Sequence, residues 1–443
     1  MKNRRLLSAA LAVALTVSVW GGARSATAAH TGAAKPYAGT TLNFLVCCPT
    51  VAQFVAMQKL TNSSFTPSTG ITVHWDTSTP YGSLEQKIVS TAVSGNGAYD
   101  LVAWPDSWGS AVKPYLLPLN SYVQKDQVNL KDWPRSFITI GSSADGKQLL
   151  GFPFRGHAQL LFYRTDVFKK LGLQPPSTWQ QLVADATIIQ KKGGIDPLAM
   201  YYGGLGAGQN LFIWLNMLWS NGGTLLDNNN RPQFASPAGI QATQLYIDLL
   251  RKYHFTRPTA LTNDEGGAGS VFQKGQAAMW IGWSWYEELF TNPTASAPVV
   301  VQNTSFTPAP GWQGKGRAAY SFTFEASVLQ SSKNQAAAFA YLKWLTSAPV
   351  ERQILLNKSD PKTDTVVGQH LSNLLDPRVN AANHQLQREM ASILTSSRSE
   401  PLVPQWLKVQ SIIEIALNKM ANGAPIQSTL AQAQSDVAAA MTS

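Results

Sequence analysis

Cysteine is nearly absent from this chain of 443 residues, and its only two cysteines are the neighbours Cys47 and Cys48. Two adjacent thiols cannot join distant segments, which excludes a fold held together by disulfides. They form either a vicinal disulfide in an oxidising compartment or a pair of small apolar residues at the end of a buried strand. The sequence leaves both alternatives open.

Long apolar runs are missing after the first 28 residues. Within residues 1–28, basic residues at Lys2, Arg4 and Arg5 precede an apolar stretch and a small-residue cleavage site, which is the pattern of a secretory signal peptide. No later window reaches the roughly 18 consecutive apolar residues of a membrane-spanning helix. We therefore expect a soluble, secreted protein that is extracytoplasmic, either periplasmic or held at the cell surface.

Charged residues are also scarce, at 14% of the chain, and the net charge is +10. No run of five basic residues occurs after the signal peptide, which argues against a nucleic-acid partner. The six histidines show none of the spacings of a metal site. We expect no metal and no cofactor.

The chain is long, and strands alternate with helices along it. The length after the signal peptide exceeds one comfortable core, so two interwoven domains are predicted. Buried strands alternate with amphipathic helices at residues 41–46, 51–60, 71–75, 84–94 and 101–104. This alternation predicts the α/β class with a mostly parallel sheet. Ligands of such sheets bind beyond the carboxyl ends of strands, so residues that follow strands, such as Tyr81, are candidates for a binding site.

The stretch of residues 151–173 is predicted to cross between the two domains. It contains a strand, a polar interruption at Arg155-Gly156-His157, a second strand of buried apolar type, and an amphipathic helix. The polar residues would lie where two packed bodies meet. Arg155, His157 and Gln159 are therefore candidates for contacting a ligand between the domains.

Aromatic and acidic side chains are concentrated after the third strand, where Trp104, Asp106 and Trp108 stand close together. A sugar presents a C–H face that packs on rings and hydroxyls that donate to a carboxylate. This cluster therefore favours a sugar as the ligand.

A second aromatic cluster, Trp283, Trp285 and Tyr286, follows a strand predicted over residues 279–281. Three aromatic side chains within four residues are difficult to bury together. We therefore predict that at least one of them stacks on a ligand.

These segments resemble the extracellular sugar-binding proteins of ABC importers, the solute-binding family that includes the maltose-binding protein. The resemblance runs from about Leu42 to the C-terminus. It rests on the order and spacing of the segments YDLVAWPDSW, GKQLLGFPFRGHAQLLFYRTDVFKKLGL, FQKGQAAMWIGWSW, SVLQSSKNQAAAFAYLKWLTS and EPLVPQWLKVQSIIEIALNKMANG.

The resemblance implies roles for single residues. Trp104 and, with a one-residue gap, Asp106 match an aromatic and an acid that line the cleft on the first lobe in this family. Trp285 matches a tryptophan that stacks on sugar, and Arg155, His157 and Gln159 occupy the hinge segment that faces sugar hydroxyls. At a second crossing near Glu325, which is also a candidate ligand contact, Phe324 stands where many relatives have a tryptophan.

The resemblance also implies a two-lobe periplasmic-binding-protein fold with discontinuous lobes joined by a hinge. Lobe 1 would comprise residues 37–153 and 326–370, and lobe 2 residues 154–325 and 371–443. The chain would then be the monomeric substrate-binding component of an ABC importer rather than an enzyme. It would bind a di- or oligosaccharide, close on it, and deliver it to the permease subunits in the membrane.

Two other functions stay open. Asp106, Glu287, Glu288 and Glu325 could supply the carboxylates of a secreted carbohydrate-active enzyme, although nothing in the sequence places two of them across a scissile bond. The same fold could instead bind another small polar solute. A glycerol-phosphate ester held by Arg155 and the glycine-rich loop at residues 203–208 is the best-fitting example.

Overall fold

Strands alternate with helices along the chain, as predicted. The computed structural model describes residues 35–49, 51–203, 208–357 and 367–442, so the predicted signal peptide lies outside the described residues. The strands are β1 (Thr41–Leu45), β2 (Thr72–Asp76), β3 (Leu101–Pro105), β4 (Phe152–Arg164), β5 (Asp196–Ala199), β6 (Ala277–Trp283), β7 (Thr304–Pro308) and β8 (Ser321–Val328).

Helices pack around these strands along the whole described chain. In the first part of the chain they are α1 (Ala52–Leu60), α2 (Thr66–Thr69), α3 (Tyr81–Ser94), α4 (Gly109–Val112), α5 (Asn120–Lys125), α6 (Arg135–Ile140), α7 (Thr165–Leu171), α8 (Trp179–Lys192), α9 (Leu211–Ser220) and α10 (Pro237–Arg251). In the second part they are α11 (Glu265–Gln273), α12 (Tyr286–Thr291), α13 (Pro298–Asn303), α14 (Gln335–Leu345), α15 (Ala348–Leu356), α16 (Leu371–Leu374), α17 (Pro377–Ala382), α18 (Leu386–Leu394), α19 (Trp406–Ala421) and α20 (Ile426–Met441). Short 3-10 turns cover Asp106–Trp108, Lys113–Tyr115, Leu130–Asp132 and Pro258–Leu261, and a π-helical turn covers Thr61–Phe65.

The strands form one mixed sheet in the order β2-β1-β3-β8-β4-β6-β5, and β7 also pairs with β4. The β1–β2, β1–β3 and β5–β6 pairs are parallel, and β8 and β4 run antiparallel to their neighbours. Two α/β lobes result, each with its own parallel strands. The lobes are joined by β8 and β4, which neighbour each other in space although they are far apart in the chain.

The thirteen-residue strand β4 crosses from one lobe to the other. Its first half, through Ala158, pairs with β8, and its second half pairs with β6 and β7. The prediction of two strands separated by a polar interruption is wrong, because Arg155 and His157 lie within a continuous strand. Gly156 is needed there for packing, since a Cβ at that position would come within 2.5 Å of the Phe137 ring and the Gln369 amide oxygen.

Helix starts follow the capping signals in the sequence. The Thr178 side chain accepts from Gln181 N at the start of α8, and the Ser236 side chain accepts from Gly239 N at the start of α10. Both residues stand directly before the first helical residue, and Pro237 opens α10 where its missing N–H costs nothing. Both helix starts therefore follow from capping residues that the sequence carries.

Helix α9 is buried on nearly every side, which explains why it carries no polar face. Helices α10 and α19 pack against it, and α20 packs on both of them. The C-terminal helices therefore complete the core around α9. No helix among the described residues is both long and apolar enough to cross a membrane.

Cys47 and Cys48 are joined to each other in a vicinal disulfide directly after β1. Cys48 has a φ of 61°, in the left-handed region that residues other than glycine rarely adopt. Of the two alternatives that the sequence left open, the structure has the disulfide.

Candidate functional site

The carboxyl ends of the parallel strands in the first lobe carry the cluster of polar and aromatic residues that the sequence predicts there. Tyr81 follows β2, and Asp106 and Trp108 follow β3 in a 3-10 turn. Tyr81 is 47% exposed and packs its ring 4.7 Å from that of Trp108. The ends of parallel strands are where α/β sheets bind ligands, so these residues define one wall of the candidate site.

Aromatic rings continue from this wall across the crossing strand β8 into the second lobe. We call Trp108, Tyr81, Phe324, Phe322 and Trp283 the aromatic floor. Successive centroids are 4.7, 6.3, 6.1 and 4.6 Å apart, each within the range of favourable ring pairs. Because Phe322 and Phe324 alternate with Thr323 on β8, they lie on one face of the sheet. The floor therefore joins the two lobes at the hinge.

Two buried acids stand beside the floor, Asp106 from the first lobe and Glu400 from the C-terminal segment. Burial, and then the neighbouring Glu400 carboxyl, raises the pKa of Asp106 well above its ordinary value. Asp106 Oδ1 accepts from Ser107 N at 3.0 Å, whereas Oδ2 is buried and has no partner among the described residues. A buried carboxylate oxygen without a donor is a strong site for a hydroxyl or another hydrogen-bond donor.

Glu400 is better satisfied than Asp106. Its Oε2 accepts from Trp406 Nε1 at 2.6 Å, and Tyr320 directs its hydroxyl toward the same carboxylate. Burial raises the pKa of Glu400 as well. Tyr320 also contacts the Trp283 ring at 4.9 Å, so Glu400 and Tyr320 connect the acids to the second-lobe end of the floor.

Arg155, His157 and Gln159 share one face of β4, because side chains alternate along a strand. The Arg155 guanidinium lies 5.8 Å from the ring centroids of both Phe54 and Phe324, which is within cation–π range. Burial lowers the pKa of Arg155 to about 10, so the side chain remains charged at neutral pH. It brings a positive charge to the edge of the aromatic floor.

His157 and Gln159 lie deeper than Arg155. The His157 ring packs against Phe322, and its Nδ1 is 3.0 Å from Ser284 Oγ, while Nε2 has no partner within the described part of the chain. Burial, and then Arg155, lowers the pKa of His157 well below its ordinary value, so the ring is neutral. Gln159 accepts from Asn216 at 3.4 Å, and its Nε2 has no partner in the same described ranges.

Trp104 and Glu325 are placed in the core rather than at the surface of the cleft. Both are 0% exposed, and Trp104 donates from Nε1 to Ser327 Oγ at 2.9 Å. Their backbones are register partners in the β3–β8 pair, so they fill the space between the sheet and the helices that cover it. Contact of either side chain with a ligand stays a prediction.

Trp283, Trp285 and Tyr286 take three different places. Trp283 is nearly buried and belongs to the aromatic floor, while Tyr286 packs against Trp280 at 4.4 Å. Trp285 is partly exposed and lies flat on Tyr286, with ring centroids 3.8 Å apart. Trp285 thus has the accessible ring that a stacking role requires.

A groove of about 800 Å³ lies beyond the ends of β1 and β2, lined by residues 48–49 and 74–81. Tyr81 belongs both to this groove and to the aromatic floor. Cys48 of the vicinal disulfide and the apolar Trp75 lie on its wall, together with polar residues such as Thr77. The groove therefore extends the site along the first lobe.

Several residues of the site escaped prediction from the sequence, namely Phe54, Tyr320, Phe322, Glu400 and Trp406. Glu400 begins and Trp406 ends the segment EPLVPQW, which carries part of the family resemblance but received no role. A signal was present in that segment, because an acid and an indole flank two prolines there. Nothing in the sequence indicated that this segment returns to Asp106.

Three other arrangements concern metal binding, acid catalysis and the glycine-rich loop. No group of three or more His, Cys, Asp and Glu side chains that could hold a metal ion occurs among them. Of the acids named for an enzyme, Glu287 places Oε1 2.9 Å from His384 Nδ1, and Glu325 is fully buried. Residues 204–207 of the glycine-rich loop lie outside the described residues.

Comparison with known proteins agrees with this architecture. The sequence profile of the family described as bacterial extracellular solute-binding protein matches residues 50–352. A probable amino-acid ABC transporter periplasmic-binding protein of Sinorhizobium fredii is 27% identical over 354 residues, which is 78% of this chain and 76% of the relative. A mannitol-binding protein of Pseudomonas aeruginosa is 26% identical over 270 residues, covering 60% of each chain.

Solved structures show the same fold. An ABC transporter solute-binding protein from Agrobacterium radiobacter, in complex with ribitol, superposes with a TM-score of 0.73 at 25% identity. The match covers 91% of this chain and 99% of that one. The predicted two-lobe α/β fold is thereby confirmed, although the sheet is mixed rather than mostly parallel, as the alternation of strands and helices had predicted.

Proposed function

Because the chain belongs to the family of bacterial extracellular solute-binding proteins, we propose that it binds a sugar or polyol on the aromatic floor and serves as the substrate-binding component of an ABC importer. The observation that carries the proposal is the floor itself, flanked by Asp106, Glu400 and Arg155. Rings offer surface for the C–H faces of the ligand, and the charged groups offer hydrogen bonds to its hydroxyls. Relatives that bind mannitol and ribitol support this class of ligand.

Binding between the lobes would be converted into closure. The floor is built from both lobes and from β8, so a ligand on it gains contacts from both sides only when the lobes approach each other. A ligand shifts a two-state equilibrium by the difference between its affinities for the two states. The closed form would then be the one presented to a membrane permease. The lobe boundaries near residues 153 and 325 stay a prediction.

Two rival functions give different results in the same assays. A carbohydrate-active enzyme would release new reducing ends from oligosaccharides, and we expect none. An amino-acid or glycerophosphodiester binder would be stabilised by those compounds and not by sugars. Thermal-shift screening of the whole chain against sugars, polyols, amino acids and glycerophosphodiesters tests the proposal. Stabilisation confined to the non-carbohydrate compounds would overturn it.

Replacing Trp285 with alanine should weaken binding of the ligand found in that screen by about tenfold or more, because a stacked ring contributes about 0.5–1.5 kcal/mol beyond its buried area. Titration calorimetry measures the change. Trp344→Ala is a matched control, since Trp344 is also partly exposed and also lies on a tyrosine, Tyr341, but is in α14. Both variants should lose some stability, and only Trp285→Ala should lose affinity. If Trp285→Ala and wild type bind the ligand with equal affinity, Trp285 does not belong to the site.

The groove beside Tyr81 supports a ligand longer than one sugar unit. We expect affinity to rise by about tenfold from a monosaccharide to the matching di- or trisaccharide, as one more unit packs along the groove. Thr77→Trp fills the groove and should remove this gain while leaving monosaccharide affinity unchanged. The same substitution at Thr72, at the start of β2 and outside the groove lining, should leave the gain intact. If wild type binds the monosaccharide and the longer saccharides with equal affinity, the ligand is a single sugar or polyol.

A further inference from the structure

We propose that the Cys47–Cys48 disulfide is a positioning element of the binding site, which fixes the turn before α1 and so holds Gln53 and Phe54 against the crossing strand β4. This inference rests on the proposed function of the cleft. It assigns a role to the only two cysteines of the chain, and it makes ligand affinity depend on their oxidation state.

The disulfide constrains the backbone at the end of β1. Cys48 has a φ of 61°, and a residue with a side chain keeps such a left-handed conformation only where its surroundings enforce it. The bond between the two sulfur atoms closes a small ring that contains the Cys47–Cys48 peptide unit. Cys47 is fully buried, whereas Cys48 is partly buried and reaches the groove wall. The ring therefore links the core to the edge of the site.

Helix α1 starts directly after this turn, and no side chain caps its first residues. The Cys48 carbonyl oxygen instead accepts from Val51 N at 3.1 Å, and the Val51 carbonyl oxygen accepts from Val55 N at 3.1 Å. A helix start without a capping side chain is only weakly specified by its own sequence. The direction of α1 therefore depends on the conformation of Cys48.

Two side chains in the first turn of α1 contact β4. Gln53 Nε2 donates to Phe154 O at 2.9 Å, and both residues are buried. The Phe54 ring lies nearly parallel to the Phe154 ring, with centroids 5.3 Å apart. These contacts hold the start of α1 against the crossing strand, next to Arg155.

Phe54 connects this contact to the ligand site. The Arg155 guanidinium lies 5.8 Å from the centroid of the Phe54 ring, and the Phe324 ring of the aromatic floor meets Phe54 edge-on with centroids 6.1 Å apart. Phe54 thus supports both a charged group and a ring that the proposed ligand contacts. A shift of α1 removes this support although α1 itself need not touch the ligand.

Reduction of the disulfide opens the ring and releases the constraint. A dithiol such as dithiothreitol supplies two electrons and two protons, both cysteines become thiols, and the reagent is oxidised to a disulfide. Cys48 is then free to leave the left-handed region. We expect α1 to tilt and Phe54 to withdraw from Arg155 and Phe324. The oxidised protein should therefore bind the ligand more tightly than the reduced protein.

Calorimetry with the sugar or polyol that stabilises the wild-type chain measures this difference. The reduced protein should bind it about tenfold more weakly. Because coupling between two equilibria is reciprocal, saturating ligand should make the disulfide about tenfold harder to reduce at equilibrium. Titration against mixtures of reduced and oxidised dithiothreitol measures that shift. The Cys47→Ala/Cys48→Ala double variant has no cysteine, so reductant should leave its affinity unchanged.

Glycine at position 48 separates the role of the backbone from that of the sulfur atoms. Glycine adopts a positive φ without steric cost, so Cys47→Ala/Cys48→Gly should bind about threefold more tightly than Cys47→Ala/Cys48→Ala. This comparison needs no reductant, so it holds even if reduction unfolds the chain. Asn230→Ala is the matched control, because Asn230 has a φ of 57° in an exposed turn between α9 and α10. It should lose stability and keep wild-type affinity.

Phe54→Leu tests the route from the disulfide to the site. The variant should itself bind more weakly than wild type, and its reduction should weaken binding only about twofold further, because groups in contact act non-additively. Phe65→Leu is the control, since Phe65 is a buried ring that packs on Tyr341 and Trp344. Its affinity should respond to reduction as that of wild type does.

Three other outcomes overturn the inference. Equal affinity of oxidised and reduced wild type, with no shift of the reduction equilibrium, means that the disulfide does not position the site. Equal affinity of the alanine and glycine double variants means that the backbone of residue 48 has no part in binding. A full effect of reduction in Phe54→Leu means that Phe54 does not carry it. Failure of the proposed function is distinguishable, because then oxidised wild type itself would bind no sugar or polyol.

Discussion

Replacing Asp106 with asparagine should weaken ligand binding about 10- to 100-fold and, at neutral pH, make the free protein more stable. Hydrogen bonds to a charged group contribute about 1.5–3 kcal/mol each, and Asp106 Oδ2 is a buried acceptor that no described residue satisfies. Asparagine has the same shape but lacks the charge. The loss should therefore appear in affinity and leave the fold unchanged.

The gain in stability follows from the sign of the pKa shift. An acid whose pKa is raised in the folded state destabilises that state at every pH above its unfolded value, and the penalty disappears as both forms become protonated. Burial and then Glu400 raise the pKa of Asp106 in this way. Asp106→Asn should thus unfold at a higher temperature than wild type near pH 7, and the difference should vanish near pH 4.

Calorimetry and thermal unfolding at the two pH values check both effects. Asp100→Asn is the matched control, because Asp100 is an equally buried acid at the opposite end of β3, where Asn43 N and Ser332 Oγ donate to it. That variant should lose stability and retain affinity. A stable Asp106→Asn protein with wild-type affinity would show that Asp106 does not contact the ligand.

Adding one methyl group at Gly282 should destabilise the second lobe by about 3 kcal/mol, the upper end of what overpacking a core costs. Gly282 lies in β6, and the indole of Trp280 lies directly over it. A Cβ at Gly282 would be 1.7 Å from Trp280 Cη2. Since Trp280 is fully buried, the ring can move only by displacing its neighbours.

The displaced Trp280 ring should also disturb the candidate binding site. Trp280 packs against Tyr286, and Tyr286 supports the partly exposed ring of Trp285. Chemical denaturation of Gly282→Ala measures the stability, and ligand titration of the folded fraction should show weaker binding as well.

Gly82→Ala is the control, because Gly82 is in α3 and a Cβ there meets nothing within 4 Å. Alanine in that helix should stabilise the protein slightly, by about 0.5–1 kcal/mol. A Gly282→Ala protein as stable as wild type would contradict the tight packing around Trp280.

The sequence predicted the architecture well because periodicity and family resemblance both report on the core. The starts of α8 and α10, the alternation of strands and helices, and the crossing near residue 155 were all available from the pattern. The unbroken course of β4 could not be predicted from the pattern. A polar triplet within a strand is favoured only where the strand passes between two lobes, and local sequence does not contain that information.

The site was predicted less completely than the fold, for a physical reason. Trp104 and Trp108 stand four residues apart after the same apolar run, and yet Trp104 is in the core while Trp108 is on the floor. The two positions differ because Trp104 is inside β3, opposite Glu325 of β8, whereas Trp108 lies in the 3-10 turn after the strand. Glu400 was missed because it comes close to Asp106 through the folding of the entire chain, about 300 residues later.

The place of β8 in the sheet has a consequence for how the protein is made. This strand lies between β3 and β4, but it begins only at Ser321. Until ribosomal synthesis passes that residue, β3 and β4 each present an open edge, and open edges pair with whatever strands are nearby. Pairings between segments so far apart in the chain also form slowly. The nascent chain therefore cannot complete the sheet of either lobe until more than two thirds of its length has been translated.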